Sequence, residues 1–224
     1  MPFNVVAFCG YYSGRYGGHD WRDDDYHPYK FVQALKNEEL NLYARIPVRG
    51  RLLKLSNANR EDAAKWFGMF AADYLTQKGI SGPFLFVPVP NSGSLTAATI
   101  PTTVKLGSAV CDALKDGSVV LDCLRCKKNL GSAHKAKGPR EPEILYPNLY
   151  ALPTALKGLP EKPKIIVIDD VATKGGHLKA CVAKLLSMGL KANLCICAAK
   201  TVDDHANPSF HTYKYFLDDY VPVA

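Results

Sequence analysis

The sequence predicts an α/β fold: a parallel sheet flanked by helices, its ligand edge at the strand C-termini, with a small cap built from the N-terminal segment. Three observations carry this. Residues 163–186 read as a strand, a short loop and a helix in direct succession. Between residues 59 and 200, apolar runs of strand length alternate with amphipathic stretches of helical period, the pattern of βαβ units. A chain of 224 residues with 47% hydrophobic content suffices for one α/β core and would cramp a second. A single domain, 1–224, then divides into an N-terminal cap or extension (1–58), a core (59–200) and a C-terminal edge segment (201–224).

Asn4 to Cys9 is an apolar run of strand length, and the glycine-rich stretch from Gly10 to Gly18 is unsuited to regular structure. His19, Asp20, Asp23, Asp24, Asp25 and His27 crowd the next span. Metal ligation is one reading, but no helical or C-x-x-C-like frame fixes the ligands, and a solvated loop is the simpler one. A short helix is expected from Tyr29 to Lys36, then a strand pair from Asn41 to Leu55 that breaks near Gly50. Six tyrosines precede residue 50 and serve to pack this cap onto the core. Asn59 has the chemistry of an N-cap for the next helix, which turns Ala63, Trp66, Phe67, Phe70, Ala71 and Tyr74 to one side. Phe84 to Val89 is a buried strand. Pro101 to Leu114 follows as a helix closed by Gly117, and Ser118 to Leu121 as another strand. Late in the chain, Ala192 to Ala199 reads as a strand with Cys195 and Cys197 on one face. Alternation from Tyr213 to Leu217 predicts a final edge strand.

The stretch 163–186 carries the chemistry. Ile165, Ile166, Val167 and Ile168 form an unbroken apolar run, which suits a strand buried on both faces. It leads into Asp169 and Asp170, at the strand end where open α/β sheets place their ligands. Val171, Ala172, Thr173, Lys174, Gly175 and Gly176 make a short loop. A helix follows with Leu178, Cys181, Val182, Leu185 and Leu186 on one stripe, and Gly189 stands just past it. Glycines entering a helix let backbone N–H groups converge on a phosphate, and the helix dipole adds positive potential. Thr173 adds a hydroxyl and Lys174 a charge. The acids are strong acceptors for vicinal hydroxyls. A phosphate cradle beside a hydroxyl clamp describes a ribose 5-phosphate.

These residues resemble the 5-phosphoribosyl-1-pyrophosphate (PRPP) motif of type I phosphoribosyltransferases. The match runs over Ile165–Ile168, Asp169, Asp170, Val171, Ala172, Thr173, Gly175 and Gly176; it departs at Lys174 and His177, where the family has Thr or Ser. The resemblance implies a type I phosphoribosyltransferase-like parallel sheet over roughly residues 60–200. It also implies binding of PRPP with Mg²⁺ and transfer of ribose 5-phosphate to a nitrogen nucleophile with release of pyrophosphate. Asp169 and Asp170 would hold the ribose hydroxyls, and the segment from Val171 to His177 the 5-phosphate. In such proteins the first core strand ends in a small-residue loop at pyrophosphate. Asn91 and Ser92, in Pro88-Val89-Pro90-Asn91-Ser92-Gly93-Ser94, stand there, with a plain Pro/Gly turn as the alternative. A basic loop closing over the leaving group maps to residues 125–140, with Arg125, Lys127 and Arg140 as its working cations and Lys128, His134, Lys135 and Lys137 adding charge. That loop, the following Asn148 and Val-Pro-Val-Pro are similar to the ComF-type branch, although its N-terminal zinc ribbon is absent. Lys200, at the end of a later strand, corresponds to a base-contacting lysine in some purine-type members.

The acceptor is not legible, and neither flank identifies one. The net charge of +7 favours an anionic partner without separating a polyphosphate sugar from nucleic acid. Two other classes therefore stand beside the transferase: a PRPP-binding regulator without turnover, and a ComF-like nucleic-acid-associated protein. No residue is assigned as a direct metal ligand, and a homodimer is compatible with the sequence. No apolar run reaches the eighteen residues of a membrane span, and the start lacks a basic n-region, so a cytoplasmic protein of nucleotide metabolism is expected. Seven cysteines do not form a disulfide scaffold. Cys123 and Cys126 make a lone C-x-x-C without the second pair of a zinc ribbon.

Overall fold

The computed structural model describes residues 2–12, 21–131, 141–203 and 206–222. In chain order it contains β1 (Phe3–Tyr11), α1 (Tyr26–Leu35), β2 (Ala44–Val48), β3 (Arg51–Leu55), α2 (Asp62–Gln77), β4 (Phe84–Pro88), α3 (Thr102–Leu114), β5 (Val119–Val120), β6 (Leu124–Cys126), α4 (Pro142–Leu145), β7 (Leu149–Ala151), β8 (Lys164–Ala172), α5 (Gly176–Leu186), β9 (Ala192–Thr201) and β10 (Tyr213–Leu217). Six strands form the central sheet in the order β10-β1-β9-β8-β4-β5. Every pairing is parallel except that of β10, which runs antiparallel along β1.

The unbroken apolar runs are explained by cover on both faces. Phe84, Phe86, Ile166, Ile168 and Ile196 join Phe31, Trp66, Phe67, Leu106 and Val110 in one core, under α1, α2, α3 and the β2–β3 hairpin. Leu85, Val87, Ile165, Val167, Cys195 and Cys197 pack beneath Leu178, Cys181, Val182 and Leu185 of α5 in the other. Alternate residues of each strand thus serve opposite cores, as the two-residue strand period requires. Among the described residues no helix is long and apolar enough to cross a membrane.

Four expectations need correction. The N-terminal segment is not all cap: β1 is a buried strand of the central sheet, inserted between β9 and β10, so the core does not begin at residue 59. Among the described residues of that segment, α1 and the hairpin lie outside the central sheet. Asn59 does not cap α2. It ends a 3-10 turn in which its Oδ1 accepts the Ser56 N–H at 2.9 Å, and α2 begins at Asp62. Lys115, not Gly117, closes α3, in the left-handed conformation with φ 54°. Finally, the segment taken as a basic loop from residue 125 starts with a strand. Leu124–Cys126 pairs antiparallel with Leu149–Ala151 as a separate ribbon against the α5-side core.

Candidate functional site

The four inner strands β1, β9, β8 and β4 end together at one edge of the sheet, and β8 delivers both acids there. Asp169 is 6% exposed and Asp170 half-buried. The Asp170 N–H donates to Asp169 Oδ1 at 2.9 Å, and the Val171 N–H to Asp170 Oδ1 at 2.6 Å. Lys36, just past the end of α1, brings its Nζ to 3.8 Å from Asp170 Oδ2 and 5.8 Å from the centre of the Tyr11 ring. Burial, and then the neighbouring Asp170 charge, push the Asp169 pKa well above an ordinary carboxylate's. The Asp170 N–H and the Lys36 charge pull the other way without cancelling the effect. Asp169 therefore keeps its proton to higher pH than an exposed acid.

The loop after β8 turns on Gly175, whose φ of 77° lies in the left-handed region. A side chain there would also collide with Leu217 of β10. Lys179 N–H closes the first helical bond on Gly175 O at 2.8 Å, so the amides at the start of α5 precede the intrahelical ladder, where a helix N-terminus favours negative charge. A cavity of about 60 Å³ opens over them, lined by Asp169, Val171 through Leu178 and Leu145 of α4. Thr173 Oγ1 lies 3.0 Å from Thr201 Oγ1, which ties the loop to β9. A Gly175→Ala variant is expected to lose about 1–3 kcal/mol through left-handed strain and the Leu217 collision, read as a lower urea midpoint.

A second cavity, about 120 Å³, adjoins the first across Asp169 and His177 and is lined by Val89, Pro90, Asn91, Ser92, Thr102, Thr103, Asp169 and Asp170. Asn91 and Ser92 thus stand beside the acids. The Asn91 Oδ1 accepts from Gly93 N–H at 3.1 Å and Ser94 Oγ at 2.7 Å, which fixes the turn. Thr103 Oγ1 donates to Val89 O at 2.6 Å and anchors the same turn to α3.

The basic segment is placed differently from expectation. Arg125 is 1% exposed, inside β6. Its Nη1 and Nη2 donate to the two oxygens of Asp122 at 2.6 and 2.8 Å, its Nε to Thr96 O at 2.7 Å and Nη1 also to Leu124 O at 2.8 Å. A guanidinium so engaged anchors the 94–97 turn and cannot sweep over a ligand. Lys127 is exposed just past β6, its N–H held by Asn148 O at 2.7 Å, and its side chain lines neither cavity. Arg140 lies outside the described residues, as do His134, Lys135 and Lys137. Lys200 is also displaced from the expected role. Its Nζ sits 4.8 Å from the Tyr215 ring and 5.5 Å from the Tyr213 ring, a cation–π contact with β10, and it too lines neither cavity.

Sequence reasoning missed Lys36, Thr102, Thr103 and Leu145, which three separate elements, α1, α3 and α4, bring to the acids. Of the His/Asp cluster near the N-terminus, His19 and Asp20 lie outside the described residues. Asp25 is fully buried and structural: it accepts bonds from Arg22 and from Ser209 Oγ at 2.8 Å. Burial would raise its pKa, but those bonds outweigh it and hold it below the ordinary value. Cys123 and Cys126 are buried and not joined in a disulfide, and burial pushes the Cys123 pKa up to about 12.

What fold and site define together is an α/β protein with a mostly parallel sheet, carrying an acid pair with one member buried and a glycine-led loop into a helix at its C-terminal edge. No family model and no curated protein matches the chain. Among solved structures twelve chains match, including a crystal structure of adenine phosphoribosyltransferase. That chain is 17% identical, with 76% of this chain and 89% of that one covered and a TM-score of 0.42, a likeness too distant to carry an argument about the site.

Proposed function

We infer that the protein binds PRPP and transfers its ribose 5-phosphate to a nitrogen nucleophile. The observation that carries the reading is the continuity of β8, Gly175 and α5. It sets Asp169 and a helix N-terminus on one cavity, and Asp169 with Asp170 on the adjoining one, as a phosphate and a sugar hydroxyl pair one ring apart would require. Asp169 and Asp170 would hold the ribose hydroxyls, the amides from Gly176 onward the 5-phosphate, and Asn91 and Ser92 the pyrophosphate in the adjoining cavity. Among the described residues no three His, Cys, Asp or Glu side chains gather as a metal site. Mg²⁺ would arrive on the substrate's phosphates, beside Asp169 and Asp170, and would neutralise leaving-group charge there. In the reaction the C1–N bond forms as the C1–O bond breaks, and pyrophosphate leaves with the electron pair. Lys174, within the phosphate loop, lines the 5-phosphate cavity and would add positive charge there.

One observation favours a second reading, a PRPP-binding regulator: the burial of Arg125 removes a cation that the leaving group was expected to use. In phosphate-free buffer, PRPP with Mg²⁺ at a hundredfold excess over its Kd is expected to add about 2.7 kcal/mol of stability, a rise of about 5–10 °C in Tm. Absence of a shift at millimolar PRPP would overturn both readings. A shift without pyrophosphate release across a panel of free bases and amines would select the regulator.

A further inference from the structure

A third cavity lies away from the acids. It measures about 380 Å³, between α2, the turn of the β2–β3 hairpin and the β1–β10 edge. Its residues share nothing with those of the acid-pair cavities, and its apolar members belong to the core on the opposite face of the sheet from α5. The volume is that of a small-molecule site, larger than either cavity at the acids.

The lining has two parts. The floor is aromatic: Phe8, Trp66, Phe70 and Tyr74 face it, with Phe8 and Phe70 in contact at 4.5 Å between ring centres. The rim is cationic. Arg49 is neutralised by Asp73, in a forked pair with bonds of 2.7 and 2.8 Å that braces the hairpin turn against α2. Lys78 and Lys214 make no ion pair among the described residues, and Lys214 Nζ stands 5.9 Å from the Tyr74 ring centre, at the mouth. The Tyr74 hydroxyl likewise makes no hydrogen bond among the described residues. One acid and three bases leave the rim with a net positive charge above a surface suited to stacking.

We propose that this cleft is a second binding site, for a planar aromatic ring carrying an anionic group. The ring lies on Phe8, Phe70 and Tyr74, and the anion meets Lys214 and Lys78. Offset stacking on aromatic side chains and charge-assisted bonds to two lysines are the recognition terms. Neutral aromatics lose the second and simple anions the first.

Trp66 reports on the cleft directly once the other tryptophan is silenced by Trp21→Phe. In that protein, phenyl phosphate is expected to change Trp66 emission saturably. Phenol and inorganic phosphate should each bind at least ~10-fold more weakly, since each forfeits one of the two terms. Lys78→Glu/Lys214→Glu, a surface double variant, should lower phenyl phosphate affinity by ~10-fold or more. It should leave the PRPP-dependent melting shift unchanged, so this proposal and the acid-site reading fail separately. Equal affinity for phenol and phenyl phosphate, no saturable change in Trp66 emission, or unaltered affinity in the charge-reversed variant would overturn the proposal.

Discussion

Arg125→Met is expected to lower the free energy of unfolding by about 3–5 kcal/mol, the largest single-residue effect anticipated for this chain. Methionine replaces much of the volume but none of the donors. Both oxygens of Asp122 and the carbonyls of Thr96 and Leu124 lose their partner at once. Asp122 is about a quarter exposed and recovers some water, so the loss falls nearer the lower bound. Arg125→Lys keeps the charge without the planar fork and should cost less. Urea unfolding with an unchanged slope measures both. A loss below about 1 kcal/mol for Arg125→Met would show that the guanidinium does not hold the fold.

Asp169→Asn is expected to abolish the PRPP-dependent melting shift while making the free protein more stable at alkaline pH. Asparagine keeps an acceptor for the Asp170 N–H but carries no charge to desolvate. The pH dependence follows from the raised pKa, caused first by burial and then by Asp170. Unfolded, the carboxyl loses its proton near 3.8; folded, it holds it to a higher pH. Between those values the folded state binds more protons, so the wild-type protein loses stability as pH rises, and the loss is complete above the folded pKa. The advantage of the variant should be near zero below pH 4 and greatest at pH 8. Melting curves of both proteins at the two ends of that range check it. An advantage that shrinks with rising pH would reverse the assignment of the proton to Asp169.

How much of this was legible depends on whether partners lie near in sequence. The acids, the glycine turn and α5 are consecutive, and a strand–loop–helix is readable because each part is local. Arg125 was misread because charge argues for solvent. Asp122, three residues earlier, was the available cue, but the carbonyls of Thr96 and Ala97 have no signature in side-chain identity. Lys200 ends its strand at the expected edge. Its ammonium goes instead to Tyr213 and Tyr215, because β10 folds back along β1, an arrangement no local pattern encodes. Lys36 was invisible for the same reason: it meets Asp170 only after α1 has packed over β8. The strand character of residues 4–9 was clear, whereas their place inside the sheet was not.

That place has a consequence for how the chain is made. β1 leaves the ribosome well before its neighbours β9 and β10; Cys9 meets Ala198 across 189 residues of sequence. Until β9 and β10 have emerged, this apolar segment has neither of its neighbours in the sheet, and β4 and β8 pair with other strands. Vectorial synthesis therefore cannot build this sheet from one end to the other. β1 can join a β9-β8-β4-β5 layer only once β9 has emerged, and β10 then pairs along its outer edge, a late closing step of high contact order. During that interval the nascent chain carries an unpaired hydrophobic strand, and shielding it falls to the ribosome's surroundings rather than to the fold.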